Sequence, residues 1–364
     1  MSKKIYVNGT ILHETPTGLG VVAKNILKVF AKNKYKVEVF SPVEIEDLKV
    51  NKVTKFVKPS YKKLGGLSRL LYTQLVLPFK VTSEDVLYHP FQYLSLFSRS
   101  KQIITIHDFI PMYYPEVAKH QYCYYKYFMP FLLKKAHRVI CISNNTKDDL
   151  LKFYKVDKNK IKMIYNGYDN DLFNEENIDA SVLKKHSIDY PYMVMVGASY
   201  PHKNLESAIK AFKELEDKRG CKLIIIGKTS DYVESLKKLT AELKLTEDVI
   251  FLGYVEDEEL KTLYNKSKAF VYPTLYEGFG LPILEAAACN TLVLSSNTSS
   301  LPEVAGDGAI MFDPLNIDEI KAAMNSALNN EELVEEIKQK AKENLMRFSW
   351  EKAAVEIYET INEE

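Results

Sequence analysis

Two carboxylates, Glu277 and Glu285, stand eight residues apart in the run Glu277-Gly278-Phe279-Gly280-Leu281-Pro282-Ile283-Leu284-Glu285. Upstream, Ala269-Phe270-Val271-Tyr272-Pro273 reads as a buried strand, and downstream Leu281–Ala288 reads as a helix with Pro282 in its first turn. Glycines at a strand-to-helix turn let a ligand approach the backbone closely. A helix start offers free N–H groups and the positive end of a dipole, which suits phosphate. Glu277, before the turn, can bind hydroxyls at its mouth. Glu285, about one turn into the helix, can bind a second hydroxyl pair. A phosphate site between two hydroxyl-binding carboxylates points to a nucleotide-sugar. The plainer alternative is a turn with solvated glutamates. The apolar helix around Glu285 argues against it, because a buried carboxylate needs a partner.

Other residues could join this chemistry. Lys203 follows the strand reading Tyr192–Gly197, and Asn204-Leu205 starts a helix, so a diphosphate near that start would meet a cation and N–H groups together. His107-Asp108 closes the strand reading Gln102–His107, at the carboxyl end that faces the ligand crevice in a parallel sheet. Asp108 suits capping of the loop that follows. Gly18-Leu19-Gly20 matches the dinucleotide fingerprint by letter. That supports a rival reading, an NAD-dependent oxidoreductase or a sugar-nucleotide-modifying enzyme such as an epimerase. Against it, the strand Lys4–Asn8 ends about ten residues before Gly18, and Glu38 lies inside the second strand. Gly18 and Gly20 therefore read as a loop and helix start facing donor or acceptor.

The Glu-x7-Glu run resembles the motif of retaining glycosyltransferases with the GT-B fold, in particular glycosyltransferase family 4, a group of mannosyl-, glucosyl- and rhamnosyltransferases. The resemblance extends over the chain: Gly18-Leu19-Gly20, Ile106-His107-Asp108 with Tyr114-Pro115-Glu116, Ile140–Ser143, Ile164–Asp169, and Val196-Gly197 followed by His202-Lys203-Asn204. It implies two Rossmann-like, doubly wound domains facing a deep interdomain cleft. It also implies a nucleotide-diphosphate-sugar donor in the C-terminal domain and a glycan or lipid-linked acceptor against the N-terminal one. On this pattern His107 lies beside the donor sugar, and Glu277 with the amides of Gly278, Phe279, Gly280 and Leu281 holds sugar and phosphate. Glu285 holds the ribose, Lys203 stabilises the departing diphosphate, and Tyr254 and Val255 lie near the base. The family often adds an arginine beside the lysine. Here Gly197–Lys203 has none, which leaves His202 or backbone amides to compensate. The expected reaction is a same-face transfer without a metal or other cofactor, since no Asp-x-Asp pair stands beside the Glu277 turn in sequence. A non-catalytic nucleotide-sugar-binding protein is a third class, disfavoured by the joint presence of His107, Lys203, Glu277 and Glu285.

The elements that must position these residues alternate strand and helix throughout, as in doubly wound α/β sheets. Strands read at 4–8, 36–41, 53–57, 85–89, 102–107, 138–143 and 161–165, then at 192–197, 222–227, 249–253, 269–273, 292–295 and 309–312. Continuous apolar runs such as Leu223-Ile224-Ile225-Ile226 suit parallel strands covered on both faces. With 364 residues, two domains are natural: 1–170 and 171–348, with the terminal helix 349–364 crossing back onto the first by family analogy. A formal charge of +1 argues against a nucleic-acid partner. Four scattered cysteines, the lack of a signal-like start and the lack of a long apolar run fit a cytoplasmic chain. Two basic-aromatic segments, Tyr61–Phe79 and Tyr113–Arg138, suit either the protein's own core or peripheral contact with the inner face of a membrane.

Overall fold

The computed structural model describes residues 3–14, 18–54, 57, 64–116 and 119–363. The chain divides into two compact units: Met1–Gly167 with Ser349–Glu364, and Tyr168–Phe348. The first holds a seven-stranded parallel sheet in the order β3-β2-β1-β4-β5-β6-β7. Its strands are β1 Ile5–Asn8, β2 Val37–Ser41, β3 Lys49–Lys52, β4 Val86–His89, β5 Lys101–Ile106, β6 Arg138–Cys141 and β7 Ile161–Met163. The second holds a six-stranded parallel sheet in the order β10-β9-β8-β11-β12-β13. Its strands are β8 Tyr192–Val196, β9 Lys222–Ile226, β10 Val249–Gly253, β11 Ala269–Tyr272, β12 Val293–Ser296 and β13 Ile310–Phe312.

Both sheets are doubly wound, so each has one place where strand order reverses: between β1 and β4, and between β8 and β11. Crossovers leave in opposite directions there, and a crevice opens at the strands' carboxyl ends. The central strands are apolar on both faces because helices cover both. On one face Met193, Met195, Leu223, Ile225, Val271 and Leu294 are buried with helices such as Leu205–Lys213 and Ile317–Asn329, and the alternate residues Val194, Ile224, Phe270 and Val293 are buried too.

One expected strand is displaced. The sequence places a strand at 53–57, whereas β3 occupies Lys49–Lys52; residues 55 and 56 lie outside the described set. This edge strand carries Lys49 and Asn51, which donate to the Glu38 carboxylate on β2 at 2.9 and 3.0 Å. Its pairing is polar, so its hydrophobic pattern is weak.

The terminal helix Trp350–Asn362 belongs to the first unit and packs on the helix Leu19–Lys32. Ser349 caps it, the Tyr358 ring stacks on Tyr35 at 3.8 Å, and Arg138 binds Glu363 at 3.0 Å. Gly167 permits the approach: a Cβ there would lie 2.1 Å from the Trp350 nitrogen. Among the described residues no helix is long and apolar enough to cross a membrane. The Tyr61–Lys63 part of the basic-aromatic expectation lies outside the described residues.

Candidate functional site

In the second unit the two strands flanking the reversal deliver the charged residues. The chain leaves β8 at Gly197, with φ +83°, and returns through the short turn Pro201–Lys203. It leaves β11 through Pro273 and Thr274 into the Glu277–Gly280 turn and the helix Leu281–Ala288. The two loops are fastened together. The His202 carbonyl accepts from the Leu275 N–H at 2.8 Å, with the Thr274 hydroxyl 3.1 Å away. Asn204, in a left-handed conformation, donates to the Pro273 carbonyl at 3.0 Å and the Pro314 carbonyl at 2.9 Å.

This stitching brings Lys203 and Glu277 into contact: Nζ lies 2.6 Å from Oε1, with the side chains only 16% and 12% exposed. The Tyr272 hydroxyl accepts from the same Nζ at 3.2 Å, and the Thr274 hydroxyl lies 2.9 Å from Glu277 Oε1. The lysine stem passes over Gly197, where a Cβ would sit 3.4 Å from Lys203 Cε. Burial alone would raise the Glu277 acid group. The Lys203 charge and hydrogen bond, helped by the Thr274 hydroxyl, more than offset it and hold the carboxyl below its ordinary value. Glu277 is thus an ionised acceptor locked to a cation.

The turn behind it is pinned from β12. Ser299 Oγ accepts from the Glu277 N–H at 3.0 Å, and Ser300 Oγ donates to the carbonyls of Glu277 and Phe279 at 2.9 and 2.8 Å. Gly280 has φ +107°, and a Cβ there would meet Leu301 at 2.8 Å. Any other residue would be strained and crowded. Phe279 is buried edge-on against Phe348. Gly278 and Leu281 complete the turn that leads into the helix, whose N-terminus suits an anion.

Glu285, one turn along, shares the burial and has the opposite charges around it. Among the described residues no hydrogen bond or ion pair reaches its carboxyl. Burial raises its acid group to about 8, and the charges of Asp257 and Asp169 push the same way. Tyr264 lies close enough for the Glu285 charge to bear on its own buried hydroxyl, which makes no hydrogen bond among the described residues. A carboxyl of this kind is poised to accept from ligand hydroxyls, which would restore its charged form.

His202 stacks on exposed Tyr200, and burial lowers its acid group to about 4, with Glu277 pulling up and Lys203 pushing down. It is neutral near pH 7 and supplies no second cation in place of the missing arginine. Tyr254 is exposed, with its hydroxyl 3.1 Å from Glu256, while Val255 is buried.

The remaining predicted residues lie in the first unit. His107 follows β5 and is buried; its Nε2 donates to the Pro90 carbonyl at 2.8 Å. That bond fixes the tautomer and leaves Nδ1 an acceptor. Burial holds the ring at about 4, so it is neutral. Asp108 accepts from the Ile110 N–H at 3.0 Å and caps the following turn. Gly18 precedes the helix Leu19–Lys32 with φ +52°, and Gly20 is buried in its first turn. The dinucleotide reading loses its geometry here. Ten residues separate β1 from that helix, and Glu38 is occupied with Lys49 and Asn51. Near the β1/β4 reversal lies a cavity of about 650 Å³, whose lining includes Ile11, Arg69, Phe91, Tyr93, Tyr124 and Tyr125.

Sequence reasoning missed Tyr272, Thr274, Ser299 and Ser300. The hydroxyl-rich run Ser295–Ser300 after a parallel strand was the available signal.

Residues 178–344 match the model for glycosyl transferases group 1, and residues 16–172 match that for glycosyltransferase family 4. The O-antigen chain mannosyltransferase RfbU of Salmonella typhimurium is 37% identical over 65% of this chain and 62% of its own length. The match thus spans less than two thirds of that relative. The O-antigen chain mannosyltransferase B of Escherichia coli is 28% identical over 77% of this chain and 74% of its own. HepE of Anabaena, solved with UDP and glucose, superposes with a TM-score of 0.77 at 19% identity, each chain fully covered. Two family models in tandem along two Rossmann-like units, with a structural neighbour matched end to end, place this chain in glycosyltransferase family 4, with the GT-B fold.

Proposed function

We propose that the protein transfers a hexosyl group, most simply mannosyl, from a nucleotide-diphosphate sugar to a glycan or lipid-linked acceptor, in the synthesis of a cell-surface polysaccharide. The observation that carries this reading is the Lys203–Glu277 pair at the β8/β11 reversal, beside a helix N-terminus with Glu285 one turn on. The choice of mannosyl is supported by the two O-antigen mannosyltransferase relatives.

In this mechanism Glu285 takes the ribose hydroxyls. Glu277 and the pinned turn take sugar hydroxyls and phosphate. As the bond from the anomeric carbon to phosphate oxygen breaks, charge grows on the diphosphate, and Lys203 with the helix N-terminus stabilises it. The acceptor oxygen forms its bond on the same face, its proton passes to the leaving phosphate, and configuration is retained. Glu277 Oε1 is engaged by Lys203 and Thr274, and on this account the carboxylate orients the sugar and forms no covalent bond to it. His107, neutral, accepts from a hydroxyl through Nδ1. No metal or cofactor is required on this account, and the enzyme works at the cytoplasmic face of the membrane.

The test is a calorimetric and transfer screen of GDP-mannose, UDP-glucose, UDP-N-acetylglucosamine and dTDP-rhamnose. One of them should bind and release its nucleoside diphosphate. Absence of binding by all, in folded protein, would overturn the reading.

A further inference from the structure

We propose that Tyr272 is a positioning residue for departure of the diphosphate: with Glu277, its hydroxyl holds the Lys203 ammonium so that the remaining N–H donor is presented to phosphate. This rests on the proposed function, which makes Lys203 the group that meets the departing charge.

An ammonium has three N–H donors and no acceptor. Two of those on Lys203 have partners, Glu277 Oε1 at 2.6 Å and the Tyr272 hydroxyl at 3.2 Å. Among the described residues Nζ makes no third hydrogen bond. The stem is backed by Gly197, where a Cβ would sit 3.4 Å from Cε and 3.7 Å from Nζ. One anchor alone would let the ammonium turn about the line to Glu277. Two anchors fix it, and the third donor then has one direction.

Tyr272 sits where a fixed point can be made. It is the last residue of β11, an interior strand between β8 and β12, whereas Lys203 and Glu277 stand in loops. Its side chain is buried, its ring packs on Phe270 with centroids 5.2 Å apart, and its carbonyl accepts from Ser296 Oγ at 3.2 Å. A strand holds such a group more tightly than a loop does. Nζ lies 5.3 Å from the ring centroid, so the hydroxyl is the nearer contact and the ring face is not.

A second carboxylate at this place would orient Lys203 as well, but it would also cancel the charge that the diphosphate needs. A phenol orients without cancelling. Burial, reinforced by the Glu277 charge, holds the Tyr272 acid group well above its ordinary value, so the phenol stays neutral. Orientation counts for more here because Gly197–Lys203 carries no arginine and His202 is neutral.

Tyr272→Phe removes the hydroxyl and keeps the ring, and thermal unfolding checks that the variant is folded. With the donor that supports transfer among the four named above, kcat should fall about tenfold. The Kd of its nucleoside diphosphate, by calorimetry, should change less than about threefold, because positioning counts most where charge develops. In a Lys203→Ala background the same substitution should change kcat less than about twofold, since its effect passes through Lys203. Unchanged kcat in the single variant, or equal losses in both backgrounds, would overturn the proposal. A second readout uses no donor. Reductive methylation of Lys203, followed by peptide mass spectrometry, should run at least about threefold faster in Tyr272→Phe, as the amine loses a hydrogen-bond acceptor. An unchanged rate would mean that the hydroxyl does not hold the ammonium, and would also overturn the proposal. Wild-type protein that transfers none of the four donors would overturn the function, while the Lys203 methylation rate would still decide the anchor.

Discussion

The two sheets reverse strand order in the same way, yet the two reversal points hold opposite chemistry. At β8/β11 the loops present a buried lysine–glutamate pair, a pinned glycine turn and a second carboxyl with no partner among the described residues. At β1/β4 the polar groups Asn8, His89 and Gln102 are neutral and hydrogen-bonded in a chain. Asn8 donates to His89, whose Nε2 meets Gln102 at 3.1 Å, and burial lowers the His89 acid group to about 3. His107 nearby is held at about 4, and the adjoining cavity is mostly aromatic and aliphatic around Arg69. A parallel sheet therefore decides where a ligand goes, while the loops decide its kind. One reversal point gathers ionisable groups, and the other sets aromatic and aliphatic side chains around a single arginine, Arg69, among the described lining residues that are charged near pH 7.

The largest effect should come from removing the cation. Lys203→Ala is expected to lower turnover by about 10²–10³, while affinity for the free nucleoside diphosphate changes less than about tenfold, because phosphate charge grows in the transition state. Steady-state kinetics beside calorimetry read both. Equal losses in the two would mean that the second site binds charge without acting on it.

Next in size is Glu285→Ala, which should weaken donor binding by about 10–100-fold, the worth of charge-assisted hydrogen bonds of roughly 1.5–3 kcal/mol. Affinity unchanged in a folded variant would remove Glu285 from the site.

The contrast also predicts opposed pH dependence of stability. His89 and His107 have native acid groups near 3 and 4, below the ordinary 6.5. As pH falls below about 6.5 the unfolded chain takes up protons that the native chain refuses, and each histidine costs on the order of 1–2 kcal/mol by about pH 5. Glu285 acts the other way. Between its ordinary 4.5 and about 8 the native chain keeps a proton that the unfolded chain has lost, so stability declines as pH rises through that window. Glu285→Gln should raise stability near pH 8 by on the order of 1–3 kcal/mol, discounted because the side chain is partly reached by solvent. Chemical denaturation from pH 5 to 8 measures both limbs. A variant that tracks the wild type at pH 8 would show the carboxyl is not held protonated.

A smaller signal follows from the same group. Donor hydroxyls favour the ionised carboxyl, so binding at pH 7 should release a fraction of one proton. Calorimetry in buffers of different ionisation enthalpy detects it, and Glu285→Gln should abolish it. Smallest of all, stripping the protein with excess EDTA should leave transfer unchanged. Activity lost to EDTA and restored by Mg²⁺ or Mn²⁺ would mean the diphosphate is stabilised by something besides Lys203 and the helix start.

The strands with strong apolar runs, the turn Glu277–Gly280, the helix after it and the lysine of 201–203 were all legible in the sequence. Each is a local signal, a matter of pattern, glycine and helix start. β3 was misplaced by a few residues because its pairing is polar. The hydroxyls of Thr274, Ser299 and Ser300 were overlooked, since a serine run carries no sign of which carbonyl it will reach. Charge states were out of reach for the same reason. Glu277 and Glu285 are identical residues on one short motif. Only the tertiary structure sets Lys203, 74 positions away, against one, and Asp257 and Asp169 near the other. Sequence spacing determined that two carboxylates would flank a glycine turn at a helix start. Which of them is held ionised and which is held protonated was decided by burial and by charges the chain delivers from remote segments, because both act through space and not along the sequence.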